Sequence, residues 1–181
     1  MSEPYDVLVV CVGNLCRSPL AERLLVSRLA STEVRVASAG VHAVVGAPMD
    51  ASAAAELTRR GGDPTEFEAR QLTTPMANAA DLVLTATRAI RGQVVATAPA
   101  ALKRTFTLLE LAALLEAPPW GGSETDVAAT LARAADWRAS VSGLGDDLDV
   151  PDPIGRSPQV HRAAADLADP ATRVIAAWLA R

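Results

Sequence analysis

Cys11 and Arg17 stand in a C-x5-R spacing within the stretch Cys11-Val12-Gly13-Asn14-Leu15-Cys16-Arg17-Ser18-Pro19. A strongly apolar run, residues 5–10, precedes it, and a segment with helical patterning, residues 20–30, follows. A cysteine leaving a strand, a glycine-bearing loop, then an arginine and a serine opening a helix make a phosphate cradle with a nucleophile at its base. Consecutive backbone N–H groups in such a loop form an anion-binding concavity, and the helix N-terminus adds its dipole. Arg17 and the helix end both favour the thiolate, the reactive form of cysteine. The chemistry predicted is nucleophilic attack of Cys11 on a phosphoryl group. A buried cysteine beside an ordinary strand-to-helix turn is the plainer reading, and it leaves the joint arrival of Gly13, Arg17 and Ser18 without a reason.

These residues need a scaffold that holds strand, loop and helix in order. Residues 6–11 form a continuous Val/Leu run, as expected of a central parallel strand covered on both faces. Ser18 and Pro19 open a helix in the favoured way, and Ala21, Leu24, Leu25 and Leu29 form its apolar stripe. Residues 34–39 read as a second strand ended by Gly40, with a loop over 41–48. Residues 49–60 read as a helix stopped by Gly61 and Gly62. An irregular stretch, 67–73, leads to a brief helix over 74–80 starting at Pro75. Residues 81–86 form a third buried strand and 87–96 a helix. Residues 104–108 form a fourth strand that runs into a helix through residue 116. Strands alternating with helices predict an open parallel α/β sheet.

Residues 118–122 read as a loop, 125–140 as a helix, and 141–155 as a turn-rich acidic segment. The last segment spaces Val160, Ala164, Leu167, Ala171, Val174 and Trp178 along one helical face. Pro170 is expected to kink or split that helix near Asp169. His161 is expected at the surface of this helix, and Trp120, Trp137 and Trp178 at the periphery of the core.

Length and composition bound the rest. At 181 residues the chain fits a single domain over 1–181 with room for a sizeable core. The net charge is −4 with no run of Lys or Arg, so the electrostatic footprint of a nucleic-acid binder is absent. Met1-Ser2-Glu3-Pro4 carries no basic, apolar leader, and no uncharged apolar run reaches the roughly 18 residues that span a bilayer. The only two cysteines share one loop, which is no disulfide scaffold. A cytoplasmic enzyme with no membrane or nucleic-acid partner is the expectation. No sequence cluster of His, Cys and carboxylates has metal-site spacing, so neither a metal nor an organic cofactor is expected.

In the form C-x-G-N-x-C-R-S-P the opening stretch resembles the low-molecular-weight protein tyrosine phosphatases of bacterial type, which carry it near the amino terminus. The resemblance implies a cysteinyl-phosphate mechanism, a phosphotyrosine protein as substrate and a tyrosine kinase as a partner. The fold expected is a four-stranded parallel sheet in the flavodoxin-like order 2-1-3-4 with helices on both faces. Its site lies at the carboxyl ends of the strands, where the order reverses beside the first. Val12, Gly13, Asn14, Leu15, Cys16 and Arg17 form the phosphate-binding loop.

Positioned donors matter most in phosphoryl transfer, because the charge spreads over three equatorial oxygens. Arg17 offers two parallel N–H donors that a lysine would not reproduce. Ser18 is placed to donate to the Cys11 thiolate and ease its departure in the second step. Gly13 and Asn14 can take the left-handed backbone angles of a tight loop, and the matching asparagine of the family holds the loop's shape. The leaving oxygen needs a proton from a carboxylic acid. Val150-Pro151-Asp152-Pro153-Ile154-Gly155 resembles the family's late Asp-Pro loop, so Asp152 is the expected acid and base. Its bland reading is a common turn dipeptide among Asp146, Asp147 and Asp149.

Cys16 has two readings, a small apolar residue packed beneath the loop or a redox partner forming a reversible disulfide with Cys11. Leu15 resembles the tyrosine-directed members, where related protein-arginine phosphatases carry threonine. The pocket walls depart from the family pattern: aromatics are expected after the second strand and after the Asp-Pro pair, where this chain has Val44 or Val45 and Ile154. Aliphatic walls forgo aromatic stacking of roughly 0.5–1.5 kcal/mol, which bears on phosphotyrosine preference and not on phosphatase chemistry. His42 lies in the same wall loop, a solvated histidine being its plainer reading. Arg156 could steer an anionic substrate. Two alternatives use the same cradle. One is an arsenate reductase coupled to a small thiol, the thioredoxin-coupled type being excluded because no cysteine follows Cys16. The other is a binding module that holds phosphoproteins without turnover.

Overall fold

The computed structural model describes residues 4–30, 32–116, 126–140 and 148–181. Four strands, β1 (Tyr5–Cys11), β2 (Val34–Gly40), β3 (Leu82–Thr85) and β4 (Thr105–Thr107), form one sheet. It is entirely parallel, in the order β2-β1-β3-β4. Helices α1 (Arg17–Arg28), α2 (Ala51–Arg59), α3 (Thr74–Ala79), α4 (Arg88–Thr97), α5 (Leu108–Glu116), α6 (Val127–Ser140) and α7 (Pro158–Leu179) fill the connections. The strand order and the parallel sheet are those expected from the sequence.

The period of two along β1 splits the core into two layers. Val7 and Val9 join Leu24, Leu25, Leu57, Leu111 and Ile175 on one face of the sheet. Leu8 and Val10 join Ala77, Ile90 and Val94 on the other. Each of the fully buried leucines stabilises the fold by roughly 1.5–3 kcal/mol. α6 covers the edge of β4, where Arg138 Nη1 donates to the Thr105 carbonyl at 2.7 Å and the guanidinium lies 4.6 Å from the Phe106 ring centroid. A short 3-10 helix at Pro99–Arg104 leads into β4, an element the sequence reading lacks.

Local chemistry sets the boundaries. Asp50, Thr73 and Thr87 cap α2, α3 and α4 by accepting first-turn N–H groups. Gly61 takes a positive φ of 81° and closes α2, its N–H donating to the Thr58 carbonyl. α1 has no side-chain cap, so its first N–H groups stay with the loop that precedes them.

The carboxyl-terminal segment corrects three expectations. α7 is one continuous helix, and Pro170 does not split it. The Thr172 hydroxyl donates to the carbonyls of Ala168 and Asp169, and Arg28 donates to the Asp169 carbonyl. The Arg28 guanidinium also pairs with the Asp169 carboxylate. Ala164, Ala171 and Trp178 of the predicted stripe are buried and Val160 and Val174 partly so, but the centre of the buried face lies about one residue further on: His161, Ala165, Ala168, Thr172, Ile175 and Leu179 are also buried, and Leu167 is exposed. His161 is therefore interior, at 3 % exposure. Trp178 lies in the core rather than at its periphery, and Trp137 is exposed. Trp120, Asp146 and Asp147 lie outside the described residues, as do the whole of 118–122 and 141–147.

Gly40 ends β2 opposite Cys11. A Cβ there would stand 2.4 Å from the Val12 carbonyl oxygen and 2.9 Å from the Asn14 nitrogen. Both are backbone atoms, so Gly40→Ala must push the loop itself. Urea denaturation should show a loss of about 1–3 kcal/mol, together with weakened inorganic phosphate binding by the folded variant.

Candidate active site

The carboxyl end of β1 delivers Cys11 to the floor of a loop in which five carbonyls are engaged by backbone N–H groups. The carbonyls of Cys11, Val12 and Gly13 accept from the N–H groups of Val41, His42 and Val44 at 3.0, 2.9 and 3.1 Å. The Leu15 carbonyl accepts from Asp50 N at 3.0 Å and that of Cys16 from Leu20 N at 3.1 Å. In a planar trans peptide the following N–H points the opposite way. The amides of Val12, Gly13, Asn14, Cys16 and Arg17 are thereby turned away from those partners, the orientation an anion-binding loop requires. Asn14 is the residue that bends the chain, at φ 56°; Gly13, also expected there, is not in the left-handed region.

Asn14 is fully buried and every polar atom of its side chain is used. Its Nδ2 donates to Ser18 Oγ at 2.9 Å and to Ser38 Oγ at 2.8 Å, and its Oδ1 accepts from Arg70 N at 2.8 Å. Because Asn14 donates to it, the Ser18 hydroxyl keeps its own proton for Cys11, and Ser18 Oγ lies 2.9 Å from Cys11 Sγ. At the other end the Ser38 hydroxyl donates to the Glu22 carboxylate. Burial raises the Glu22 carboxyl above its ordinary range, opposed by the Ser38 bond and by the nearby Arg23 and Arg70. Ser38 and Glu22 escape sequence reading because polar type alone does not reveal burial. Their one signal is position, at the end of a strand and one turn into α1.

Arg17 joins this loop to the far end of the chain. Its Nη1 donates to the Val150 carbonyl at 3.2 Å, and its Nη2 lies 2.7 Å from Asp152 Oδ2. The segment bearing Asp152 is pinned over the strand ends: Val150 N donates to the Ala86 carbonyl at 2.8 Å, and Thr107 Oγ1 to that of Leu148 at 2.9 Å. Asp149 accepts from Arg88 N at the start of α4. Asp152 Oδ1 also accepts from Ile154 N at 3.3 Å.

The pocket so formed has a volume of about 140 Å³ and is lined by Cys11, Val12, Gly13, Leu15, Cys16, Arg17, Val44, Asp152 and Ile154. Val44 and Ile154 thus sit at its wall, both partly open to solvent. His42 and Val45 are exposed and outside this lining, as is Arg156, which is exposed. Cys16 also borders a second, smaller cavity beneath the loop. Burial first, then the charges of Asp50, Cys11 and Asp152, push its thiol up to about 12, so it stays protonated at neutral pH. Behind the loop, Cys16, Asp50 and His161 bring a thiol, a carboxylate and an imidazole together.

A phosphate cradle on a four-stranded parallel sheet, with a cysteine at its floor and an arginine at its rim, defines a class of phosphoryl-transfer enzyme. The sequence model of the family described as "Low molecular weight phosphotyrosine protein phosphatase" matches residues 6–133, and the chain belongs to this family. Among its relatives, the probable low molecular weight protein-tyrosine-phosphatase EpsP of Ralstonia solanacearum is 42 % identical over 105 residues, 58 % of this chain and 71 % of EpsP. Wzb of Vibrio vulnificus, solved with benzylphosphonate, superposes at a TM-score of 0.70 with 27 % identity, covering 96 % of this chain and 97 % of that one. The YwlE arginine phosphatase of Geobacillus stearothermophilus superposes at 0.73 with 28 % identity, covering 98 % and 94 %. The chain is a phosphatase with a cysteine nucleophile. The family match ends before Asp152.

The raised Glu22 carboxyl has a consequence for stability against pH. Above the ordinary glutamate value the unfolded chain has released that proton while the folded chain still holds it, so stability falls as pH rises through the folded value. Glu22→Gln has no such proton and can still accept from Ser38. Thermal melts of both proteins across pH should show wild type losing stability relative to the variant as pH rises from the ordinary glutamate range.

Proposed function

We propose that the chain hydrolyses phosphotyrosine on protein substrates, formed by a tyrosine kinase, through a cysteinyl-phosphate intermediate. The observation that carries this reading is the Ser18 hydroxyl at 2.9 Å from Cys11 Sγ, on the floor of a pocket that Arg17 and Asp152 also line. The Cys11 thiolate attacks phosphorus as the bond to the phenolic oxygen breaks. Asp152, as the carboxylic acid, gives its proton to that oxygen. The loop amides and Arg17 hold the equatorial oxygens, where the transition-state charge lies. Asp152, now a carboxylate, then takes a proton from water, the water oxygen attacks phosphorus, and the S–P bond breaks. Ser18 stabilises the sulfur anion that leaves, and inorganic phosphate departs.

Leu15 supports the tyrosine-directed reading over the arginine-directed one. The aliphatic walls at Val44 and Ile154 hold an aromatic ring by dispersion alone. A cytoplasmic location belongs to the same proposal; among the described residues no helix is long and apolar enough to cross a membrane.

Hydrolysis of an aryl phosphate across pH tests the mechanism. Cys11→Ser should abolish turnover while phosphate still binds, and Asp152→Ala should lower kcat by about 10²–10⁴. Turnover persisting in Cys11→Ser would overturn the assignment. The wall argument is tested with a phosphotyrosine peptide: Ile154→Tyr should raise kcat/KM by roughly 2–10-fold, the equivalent of one stacking contact.

A further inference from the structure

Beneath the phosphate loop lies a cavity of about 10 Å³, bordered by Cys16, Arg17 and His161 and otherwise by apolar side chains such as Leu20, Val150 and Pro153, with Asp50 just outside its lining. That is room for one water-sized occupant. His161 is 97 % shielded, at 3 % exposure, yet its Nδ1 has no hydrogen-bond partner. A buried imidazole nitrogen without a partner costs free energy unless something fills its lone pair or takes its proton. Asp50 Oδ1 stands 3.6 Å away, too far for a hydrogen bond. The Cys16 sulfur, the His161 nitrogen and an Asp50 oxygen all lie within 4.8 Å of one another.

We infer that Cys16, Asp50 and His161 form a binding site for a zinc ion beneath the loop, on the side of Cys16 away from Cys11, with Cys16 shared with the lining of the phosphate pocket. A thiolate, an imidazole and a carboxylate are a donor set of the borderline-soft kind that zinc prefers over magnesium or calcium. Tetrahedral zinc holds these donors at about 2.0–2.3 Å, which sets them roughly 3.3–3.8 Å apart. The 3.6 Å between His161 and Asp50 already meets that spacing. On binding, the Cys16 thiol loses its proton to solvent and its sulfur bonds to the metal, neutral His161 donates the Nδ1 lone pair, and water completes the fourth position. Asp50 is already fixed. Its Oδ1 accepts from Ser52 N and Ala53 N, and its own N–H donates to the Leu15 carbonyl. Arg17, the cation bordering the cavity, is paired with Asp152. The bound ion ties the loop at Cys16 to the start of α2 and to α7, and it takes the Cys16 sulfur out of any exchange with Cys11.

The test begins from Cys11→Ser, in which Cys16 is the sole thiol. Cobalt(II) added to this protein should give a thiolate-to-metal charge-transfer band at one equivalent, bleached by zinc. His161→Gln and Asp50→Asn in the same background should each weaken zinc binding at least about tenfold, and asparagine retains the helix cap. Circular dichroism checks that each variant is folded. Native mass spectrometry of the chain with both cysteines should show one zinc ion, lost in His161→Gln. Absence of the charge-transfer band, or zinc affinity unchanged in folded His161→Gln, would overturn the site.

Discussion

The bend at Asn14 is the constraint on which the rest of the site depends. A non-glycine residue at φ 56° is held in a sparsely populated conformation, and here a saturated set of hydrogen bonds holds it. Two donors and one acceptor on a single amide leave no alternative orientation for the side chain. The bend turns the loop's N–H edge inward, and the same amide commits the Ser18 hydroxyl to Cys11. Loop shape and nucleophile environment are therefore set by one residue. A buried network of this kind rigidifies a site only when every member is satisfied. Ser38 and Glu22 complete it from β2 and α1.

The cradle is built by complementary dipoles before any ionised group enters. Carbonyls of Cys11, Val12, Gly13 and Leu15 are drawn outward by the 41–44 segment and by Asp50, which costs the loop no charged residue. Gly40 allows the 41–44 segment to approach so closely. Among the described residues Arg17 is then the one cation lining the pocket, and its bonds to Val150 and Asp152 fix the guanidinium plane. Preorganisation of this kind means that little rearrangement accompanies charge development.

The loop, the strands and the principal helices were legible in the sequence because their signals are local, and the strand order followed from the family resemblance. A Val/Leu run marks β1, the C-x5-R spacing marks the cradle, and helical patterning places the starts of α2, α3 and α4 within two residues of those observed. What was not legible depends on tertiary placement. In α7 most small positions are alanine, which has no strong preference between faces, so Val160, Leu167 and Val174 set the phase of the predicted stripe one residue off. That error moved His161 to the surface. Pro170 was read through its missing N–H, while the Thr172 and Arg28 donors to the neighbouring carbonyls come from side chains one turn on and from α1. The meeting of Cys16, Asp50 and His161 joins three distant parts of the chain, and no spacing rule reports it.

The bond from Arg17 to the Val150 carbonyl spans 133 residues, and it has a meaning in time as well as in space. During synthesis at about 5–20 residues per second, roughly 7–27 s separate the emergence of the arginine from that of its partner. The cradle residues leave the ribosome well before the segment carrying Asp152. A nascent chain can therefore possess a nucleophile and an anion site without the proton donor that the proposed turnover requires. Closing so long a loop also places this contact among the slow, non-local steps of folding. The order of translation thus delays the proposed turnover until the segment bearing Asp152 has docked.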